Sequence, residues 1–158
     1  MPTADGTVLA GVTFDPPAVW RDLGPGGMRK AQYRLAPVEG DTAEGELNVF
    51  YFGPADGGGV EANIQRWIDQ ISSPTSEAER STFTADGMTG HLVTVDGSYQ
   101  SGGGRPMGGS GEVLPGYRLV GVVLEGPEGS LFFKLTGPAA TVGAMEDDLI
   151  AMVKAARR

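Results

Sequence analysis

His91 is the only histidine in the sequence and cysteine is absent, so a catalytic base would have to be His91 or a carboxylate. A serine nucleophile also needs a Gly-x-Ser-x-Gly elbow, and Ser110 in the run GGSG lacks that spacing. If residues 89–95 form a strand, His91 shares a face with Val93 and Val95, which is typical of a histidine at the edge of a packed face. A hydrolase or lyase that uses His91 with a carboxylate is therefore an alternative function and not the favoured one.

A soft metal site is the second chemistry to consider. Met88, His91 and Met107 offer thioether and imidazole ligands, which suit copper(I). Methionines at scattered positions are more often core residues, however. The acidic run at 146–148 is typical of a solvated helix face, because a calcium loop needs its acids at alternate positions. We predict no metal and no other cofactor, and keep a Met/His metal carrier as an alternative.

The segment from Gly53 to Val60 has the glycine spacing of a phosphate-binding loop. Gly53 and Gly58 match that pattern, but Gly59 and Val60 occupy the positions where Lys and Ser/Thr would contact phosphate and magnesium. Glu61 adds negative charge at the start of the next helix, where it would repel a phosphate. We interpret this segment as a turn between a strand and a helix.

Residues 97–111 are the longest glycine-rich stretch, and they are predicted to form a flexible loop. The stretch lacks the Gly-x-Gly-x-x-Gly pattern of dinucleotide-binding proteins. Tyr99, Arg105 and Met107 give it side chains suited to contacts, and loops often carry function. These three residues are therefore candidates for a contact surface.

The remaining candidates are acids and tryptophans. Glu112 and Glu125 lie near the ends of the most apolar segment, where burial could shift a carboxyl pKa, but neither has an evident partner. Trp67 lies on an apolar helical stripe and is predicted to be core. Trp20 lies in a proline-flanked loop, where it either covers a sheet edge, the interpretation we favour, or belongs to a contact patch.

Length and composition restrict the class of protein. The 158 residues suffice for one domain with its own core, and we predict a single domain over 1–158. Twenty acidic against 12 basic residues give a net charge of −8, which argues against nucleic-acid binding because phosphate contacts need a basic surface. No apolar run approaches the roughly 20 residues of a transmembrane helix. Residues 1–6 lack the apolar core of a signal peptide, so none is predicted within the chain.

The elements that would position these residues can be read from hydrophobic periodicity. Alternation with a period of two, and short apolar runs between turns, predict strands at 7–14, 29–35, 46–52, 89–95, 117–124 and 130–136, with a short strand at 81–84. The segments at 117–124 and 130–136 are predicted to form a hairpin. Helical spacing predicts one helix with the stripe Val60, Ile64, Trp67, Ile68 and Ile71, and a last helix with Val142, Met145, Leu149, Met152 and Val153. Strands grouped between helices predict an α+β fold with a twisted, mainly antiparallel sheet and helices packed on its faces.

Several local strings resemble a family of uncharacterised bacterial proteins, often lipoproteins or exported proteins, and the order of elements resembles the Mog1/PsbP-like fold. The strings are TFDPP at 13–17 followed by Trp20, MRKAQYRL at 28–35, VFYFG at 49–53, GGGVEANI at 57–64 and FFKLTGP at 132–138. Members of that fold act as binding partners, one type on a small GTPase and another on photosystem II. The resemblance implies an extracytoplasmic protein, periplasmic or lipid-anchored, whose signal has been removed.

These observations together favour a non-catalytic binding or accessory domain that acts through contacts with a protein or a small ligand. The candidate residues do not assemble into a reactive constellation by sequence pattern, and the family resemblance carries no reaction. The partner is expected to be a protein or small ligand and not nucleic acid. Trp20, Tyr99, Arg105 and Met107 are the candidates for the contact surface.

Overall fold

The structure is a computed structural model that describes residues 7–17, 19–26, 29–40, 44–51, 59–72, 78–100 and 113–158. In these ranges, the segments with alternating or helical apolar patterns form ten strands and two helices. The strands are β1 (Thr7–Leu9), β2 (Val12–Phe14), β3 (Arg21–Asp22), β4 (Arg29–Leu35), β5 (Gly45–Tyr51), β6 (Ile71–Ser72), β7 (Glu79–Ala85), β8 (Met88–Gln100), β9 (Val113–Gly126) and β10 (Gly129–Pro138). Helix α1 spans Val60–Asp69 and helix α2 spans Ala139–Lys154.

Eight of the described strands form one antiparallel sheet in the order β3-β4-β5-β10-β9-β8. The last strand of that series, β8, pairs along its outer edge with both β6 and β7. Strand β10 pairs along its whole length with residues 117–126 of β9, as the predicted hairpin requires. The predicted α+β class with an antiparallel sheet and two helices is confirmed.

Both faces of the central strands are covered, which explains why β9 has no polar side. Val120 and Leu124 point toward one face, and Leu119 and Val123 point toward the other, all of them inaccessible to solvent. A strand buried on both faces is expected to be apolar throughout and not alternating. The two faces belong to two separate hydrophobic clusters, which we call the α2 face and the α1 face.

The α2 face carries the larger cluster. Helix α2 places Val142, Met145 and Leu149 against the sheet with no exposed surface, which confirms the predicted stripe. Burial of each such side chain stabilises the fold by about 1.5–3 kcal/mol. The N-terminal hairpin completes this layer, since Phe14 packs edge-to-face on Phe133 with ring centroids 5.3 Å apart.

The α1 face is covered by a shorter helix that packs Ile64 and Trp67 on the sheet. Trp67 meets Phe132 edge-to-face at 6.3 Å. Beneath the indole, β9 carries Gly121, and any Cβ at that position would overlap the six-membered ring of Trp67. Helix α1 has ten residues; it lies closest to β9, β8 and β6, and Trp67 reaches β10 through its contact with Phe132.

Three segments differ from their predictions. Residues 7–14 form a hairpin and not one strand, because Ala10 and Gly11 adopt φ of 50° and 82°, the two successive positive values of a tight hairpin turn. Strand β8 continues to Gln100, so residues 97–100 of the predicted loop 97–111 are strand, and 101–111 lie outside the described residues. Ile71 lies in β6 and not in the preceding helix, which ends at Asp69.

Candidate binding cleft between helix α1 and the sheet

His91 and Glu125 are brought together by the pairing of β8 with β9. Nε2 of His91 lies 2.6 Å from Oε2 of Glu125, so the expectation that Glu125 has no partner is wrong. His91 lies on the α1 face with Val93 and Val95, which are buried, as the sequence pattern indicates. The pair is open to water, because the Glu125 side chain is 48% exposed. Its geometry is that of an exposed hydrogen bond at the edge of a packed face. Glu112 lies outside the described residues.

A second pair lies across the start of helix α1. Nη2 of Arg80 donates a hydrogen bond of 2.6 Å to Oε2 of Glu61. That hydrogen bond holds the pKa of Glu61 below its usual value of 4.5, and the charge of His91 acts in the same direction. The Glu61 side chain is 75% exposed, so the carboxylate is solvated and poorly suited to acid–base catalysis, which relies on burial.

The soft metal site predicted as an alternative is not assembled by the described residues. Met88 and His91 are three positions apart on one strand, and their side chains therefore point to opposite faces. Met88 is buried in the α2-face cluster, whereas His91 lies on the α1 face. Met107 lies outside the described residues. Within the described ranges, no group of three or more His, Asp or Glu side chains is placed to hold a metal ion.

Of the four contact-surface candidates, Trp20 and Tyr99 are described by the structure, and Arg105 and Met107 are outside it. Trp20 is 5% exposed and packs on Tyr33 with ring centroids 6.0 Å apart. It therefore covers the sheet near β3 and is not part of a contact surface. Tyr99 is half-buried on the α1 face and stacks on Tyr117, with ring centroids 5.8 Å apart and the planes within 2° of parallel.

A cleft of about 180 Å³ opens beside α1, where the helix meets β5 and β10. Its lining comes from the last two turns of α1 and from side chains on the α1 face of the two strands. The lining residues are Phe50, Asn63, Arg66, Trp67, Gln70, Phe132 and Lys134. Three of these are aromatic, two are amides and two are cationic. Among the described residues that line the cleft, none has a carboxylate.

Helix α1 positions Arg66 through a short chain of hydrogen bonds. Nη1 of Arg66 donates to Oδ1 of Asn63 at 2.8 Å, and Nδ2 of Asn63 donates to the carbonyl oxygen of Gly59 at 2.6 Å. Asn63 is only 3% exposed, so its amide is fixed against the helix. Among the described residues, this hydrogen bond holds the guanidinium in place at one nitrogen.

Strand β10 positions Lys134 on the opposite wall. Lys134 pairs with Asn48 of β5, and Phe132, two residues earlier on the same face, pairs with Phe50. Nζ of Lys134 lies 5.3 Å from the centroid of the Tyr99 ring, a cation–π arrangement. Tyr99, singled out from the sequence, thus lies next to the cleft and holds one of its two cations.

Gln70 closes the cleft at the C-terminal end of α1. Its backbone N–H caps the helix by donating to the carbonyl oxygen of Trp67 at 3.1 Å. Its Oε1 is buried and has no hydrogen-bond partner among the residues that the structure describes. A buried acceptor without a partner costs about 1–3 kcal/mol, which only a group that donates a hydrogen bond could recover.

Sequence reasoning did not find this cleft, although a signal exists. Asn63, Arg66 and Gln70 lie on one flank of the predicted helix, at spacings of three and four residues. Phe132 and Lys134 likewise share a strand face. The pairing of β5 with β10, which brings these groups together, has no local signature in the sequence.

Comparisons with known proteins do not place the chain in a family: no family model matches it, and neither does any curated protein.

Neither α1 nor α2, the helices of the described ranges, has the length and hydropathy that crossing a membrane requires.

Proposed function

We propose that this protein is a non-catalytic binding domain and that the cleft beside α1 binds a small ligand through an anionic group. The observation that carries the proposal is the lining itself. Arg66 and Lys134 line the cleft together with three aromatic residues. The described lining has no carboxylate, although the chain as a whole has a net charge of −8. Cations concentrated in one concave site of an acidic protein attract anions to that site.

The size of the cleft favours a small ligand over a large one. A pocket for a drug-sized molecule has about 300–1,000 Å³. The cleft has about 180 Å³, which suits a ligand of about one ring or a short chain. Its mixture of apolar walls and a few polar groups is the composition that small-molecule sites share.

A binding role also agrees with the resemblance to the Mog1/PsbP-like fold, whose members act as binding partners. That membership is part of our proposal and rests on the local strings and the order of the elements. The alternative of a hydrolase or lyase depends on the His91–Glu125 pair, which is solvent-accessible and does not line the cleft. The proposal therefore assigns no catalytic residue.

The experiment uses the indole N–H resonance of Trp67 in two-dimensional ¹H–¹⁵N NMR spectra. The chain has two tryptophans, and Trp20→Phe assigns the signal of Trp67 by elimination. Acetate, inorganic phosphate and benzoate are titrated separately. We expect at least one anion to shift the Trp67 resonance saturably.

Arg66→Gln should abolish that shift, because it removes the charge but keeps a side chain of similar length. The matched control is Arg21→Gln, since Arg21 does not line the cleft, is 59% exposed and pairs with Glu44, the residue before β5. Failure of all three anions to give a saturable shift would refute the proposal. Equal affinity in the wild type and in Arg66→Gln would also refute it.

A further inference from the structure

We propose that two copies of this protein pair through β7 to form a symmetric dimer, in which the sheet of one copy continues into the sheet of the other. This inference goes beyond the proposed function, because none of the described residues that line the cleft belongs to β7. It follows from the position of β7 at an edge of the sheet, from the residues of that strand and from the charges near its two ends.

Strand β7 lies at one edge of the sheet. It pairs with β8 on one side, and none of the residues that the structure describes pairs with it on the other side. In an antiparallel ladder, every second residue of an edge strand directs its backbone N–H and C=O groups away from its only neighbour. Such a row of groups is a template for another extended chain. The opposite edge differs, because β3 and the N–H of Leu23 bind the outer side of β4.

Residues 81–85 of β7 have none of the features that usually protect an edge strand from pairing. The ladder of β7 with β8 runs from 79 to 85 without a bulge. Residues 81–85 include neither a charged side chain nor a proline. Arg80 is charged, but its guanidinium is bound to Glu61 on α1. A partner strand can therefore pair with this part of β7 without burying an unpaired charge.

The partner is a second copy of the chain because β7 is complementary to itself. Most oligomers are symmetric, and a two-fold axis pairs a surface with the same surface of the partner. An axis at Thr82, the middle residue of β7, pairs the whole of 79–85 with its counterpart. Thr82 then faces Thr82 of the partner subunit, and threonine pairs are favourable across strands. No two like charges are opposite each other in this register.

The same register brings opposite charges together at both ends of the interface. Glu79 is exposed and lies on the α2 face, as Ala85 does, because residues six apart on a strand share a face. At the other end of β7, Nη2 of Arg158 lies 3.0 Å from where a Cβ on Gly87 would be. The Arg158 side chain is 54% exposed, and its contact with Asp86 is long, at 3.8 Å. Glu79 of the partner subunit would stand opposite Ala85, two residues before Gly87, and therefore close to Arg158. The two-fold axis forms this ion pair twice.

The net charge of −8 opposes association and sets the conditions of the test. At about 0.15 M salt the Debye length is about 8 Å, so charges far from the interface are screened. The pairing of one strand is also smaller than a standard interface of about 1,200–2,000 Å², and we therefore expect a weak dimer with a Kd of about 0.1 mM.

Sedimentation velocity of the full chain, at protein concentrations around that Kd, measures the fractions of monomer and dimer. In Thr82→Lys, two lysines would face each other on the axis, and we expect the Kd to rise by roughly tenfold or more. The matched control is Gln65→Lys, which adds the same charge on the exposed side of α1 and should leave the Kd unchanged. Thermal unfolding followed by circular dichroism checks that each variant is folded.

A charge swap tests the register of the two strands. Glu79→Lys and Arg158→Glu should each raise the Kd by about threefold or more, because each turns two attractive pairs into repulsive ones. The double variant should return the Kd to near its wild-type value. Glu79→Lys is the sharper single variant, because it reduces the net negative charge and would favour association if net charge alone mattered.

A chain that stays monomeric at about 1 mM, ten times the expected Kd, would overturn the proposal. A dimer whose Kd is the same in Thr82→Lys would place the interface elsewhere and would overturn it too. If the double variant does not restore the Kd, the pairing about Thr82 is wrong. The anion titrations of the cleft are independent of all these results, so either proposal can fail without the other.

Discussion

Gly121 is the position where one added methyl group should disturb both the fold and the cleft. The residue lies on β9 directly beneath the indole of Trp67. In Gly121→Ala, the new Cβ would overlap Cε3 and Cζ3 of Trp67, and even the third neighbour, Cδ2, would stand at 3.2 Å, closer than ordinary contact. The indole is rigid and 6% exposed, so it can yield only if α1 moves away from the sheet.

The magnitude follows from the cost of overpacking a core. An added methylene in a well-packed site costs about 1–3 kcal/mol, and a rigid ring as the obstructing group places Gly121→Ala in the upper part of that range, about 2–3 kcal/mol. For a chain of this size, this loss lowers Tm by about 4–12 °C. Because Trp67 forms a wall of the cleft, the same substitution should weaken ligand binding.

Urea and thermal unfolding followed by far-ultraviolet circular dichroism measure the effect without using the displaced tryptophan as the probe. Gly143→Ala is the matched control, since Gly143 lies in α2 and the nearest atom to an added Cβ is 3.9 Å away. We expect the control to be unchanged or more stable by up to about 1 kcal/mol, through higher helix propensity. If Gly121→Ala is as stable as the wild type, α1 does not pack on β9 as described, and the cleft loses its structural basis.

Three further predictions concern charged groups. Arg118→Met should lower the free energy of unfolding by about 1–2 kcal/mol, measured by urea denaturation, because it removes half-buried hydrogen bonds of 2.7 and 2.8 Å to acids on β8 and α2. Arg157 donates hydrogen bonds to Asp15, and these lower the pKa of the Asp15 carboxyl below 3.8. The ionised Asp15 therefore stabilises the fold at neutral pH, and this stabilisation is lost as the pH falls through the lowered pKa of the folded state. Asp15→Asn should therefore be less stable than the wild type at pH 7, and the difference in urea midpoint should vanish in strong acid; a difference that does not depend on pH would contradict this linkage. His91→Gln should change stability by less than about 1 kcal/mol, since its partner Glu125 is solvated, and should leave anion binding in the cleft unaltered, whereas loss of binding would place His91 in the site.

Much of the fold could be predicted because its helices and strands repeat apolar residues with a regular period. The stripe on α2 and the alternation on β4 are local patterns, and each matches the face that the structure buries. The hairpin β9–β10 was also predictable, since its turn residues separate two apolar strands by a short distance. The hairpin β1–β2 was missed because Ala10, a residue that rarely adopts positive φ, occupies its turn.

The candidate site was less predictable, because its residues come from elements far apart in the chain. Arg66 is on α1 and Lys134 is on β10, and no spacing rule joins a helix to a strand that follows several others. His91 and Glu125 are 34 residues apart, and their contact depends on the register of β8 with β9. From its sequence context, Trp20 could either cover a sheet edge or belong to a contact surface. Its packing on Tyr33 decides between these two roles.

By itself, the sequence determined the class of fold, the apolar face of each helix and the acidic character of the chain. These properties follow from local periodicity and composition, because burial acts on each element according to its own pattern of side chains. The tertiary structure alone decided which sheet face each helix covers and which polar groups meet at the end of α1. Those outcomes depend on the order and register of strands that are far apart in the chain, and these arise from many weak contacts between distant segments.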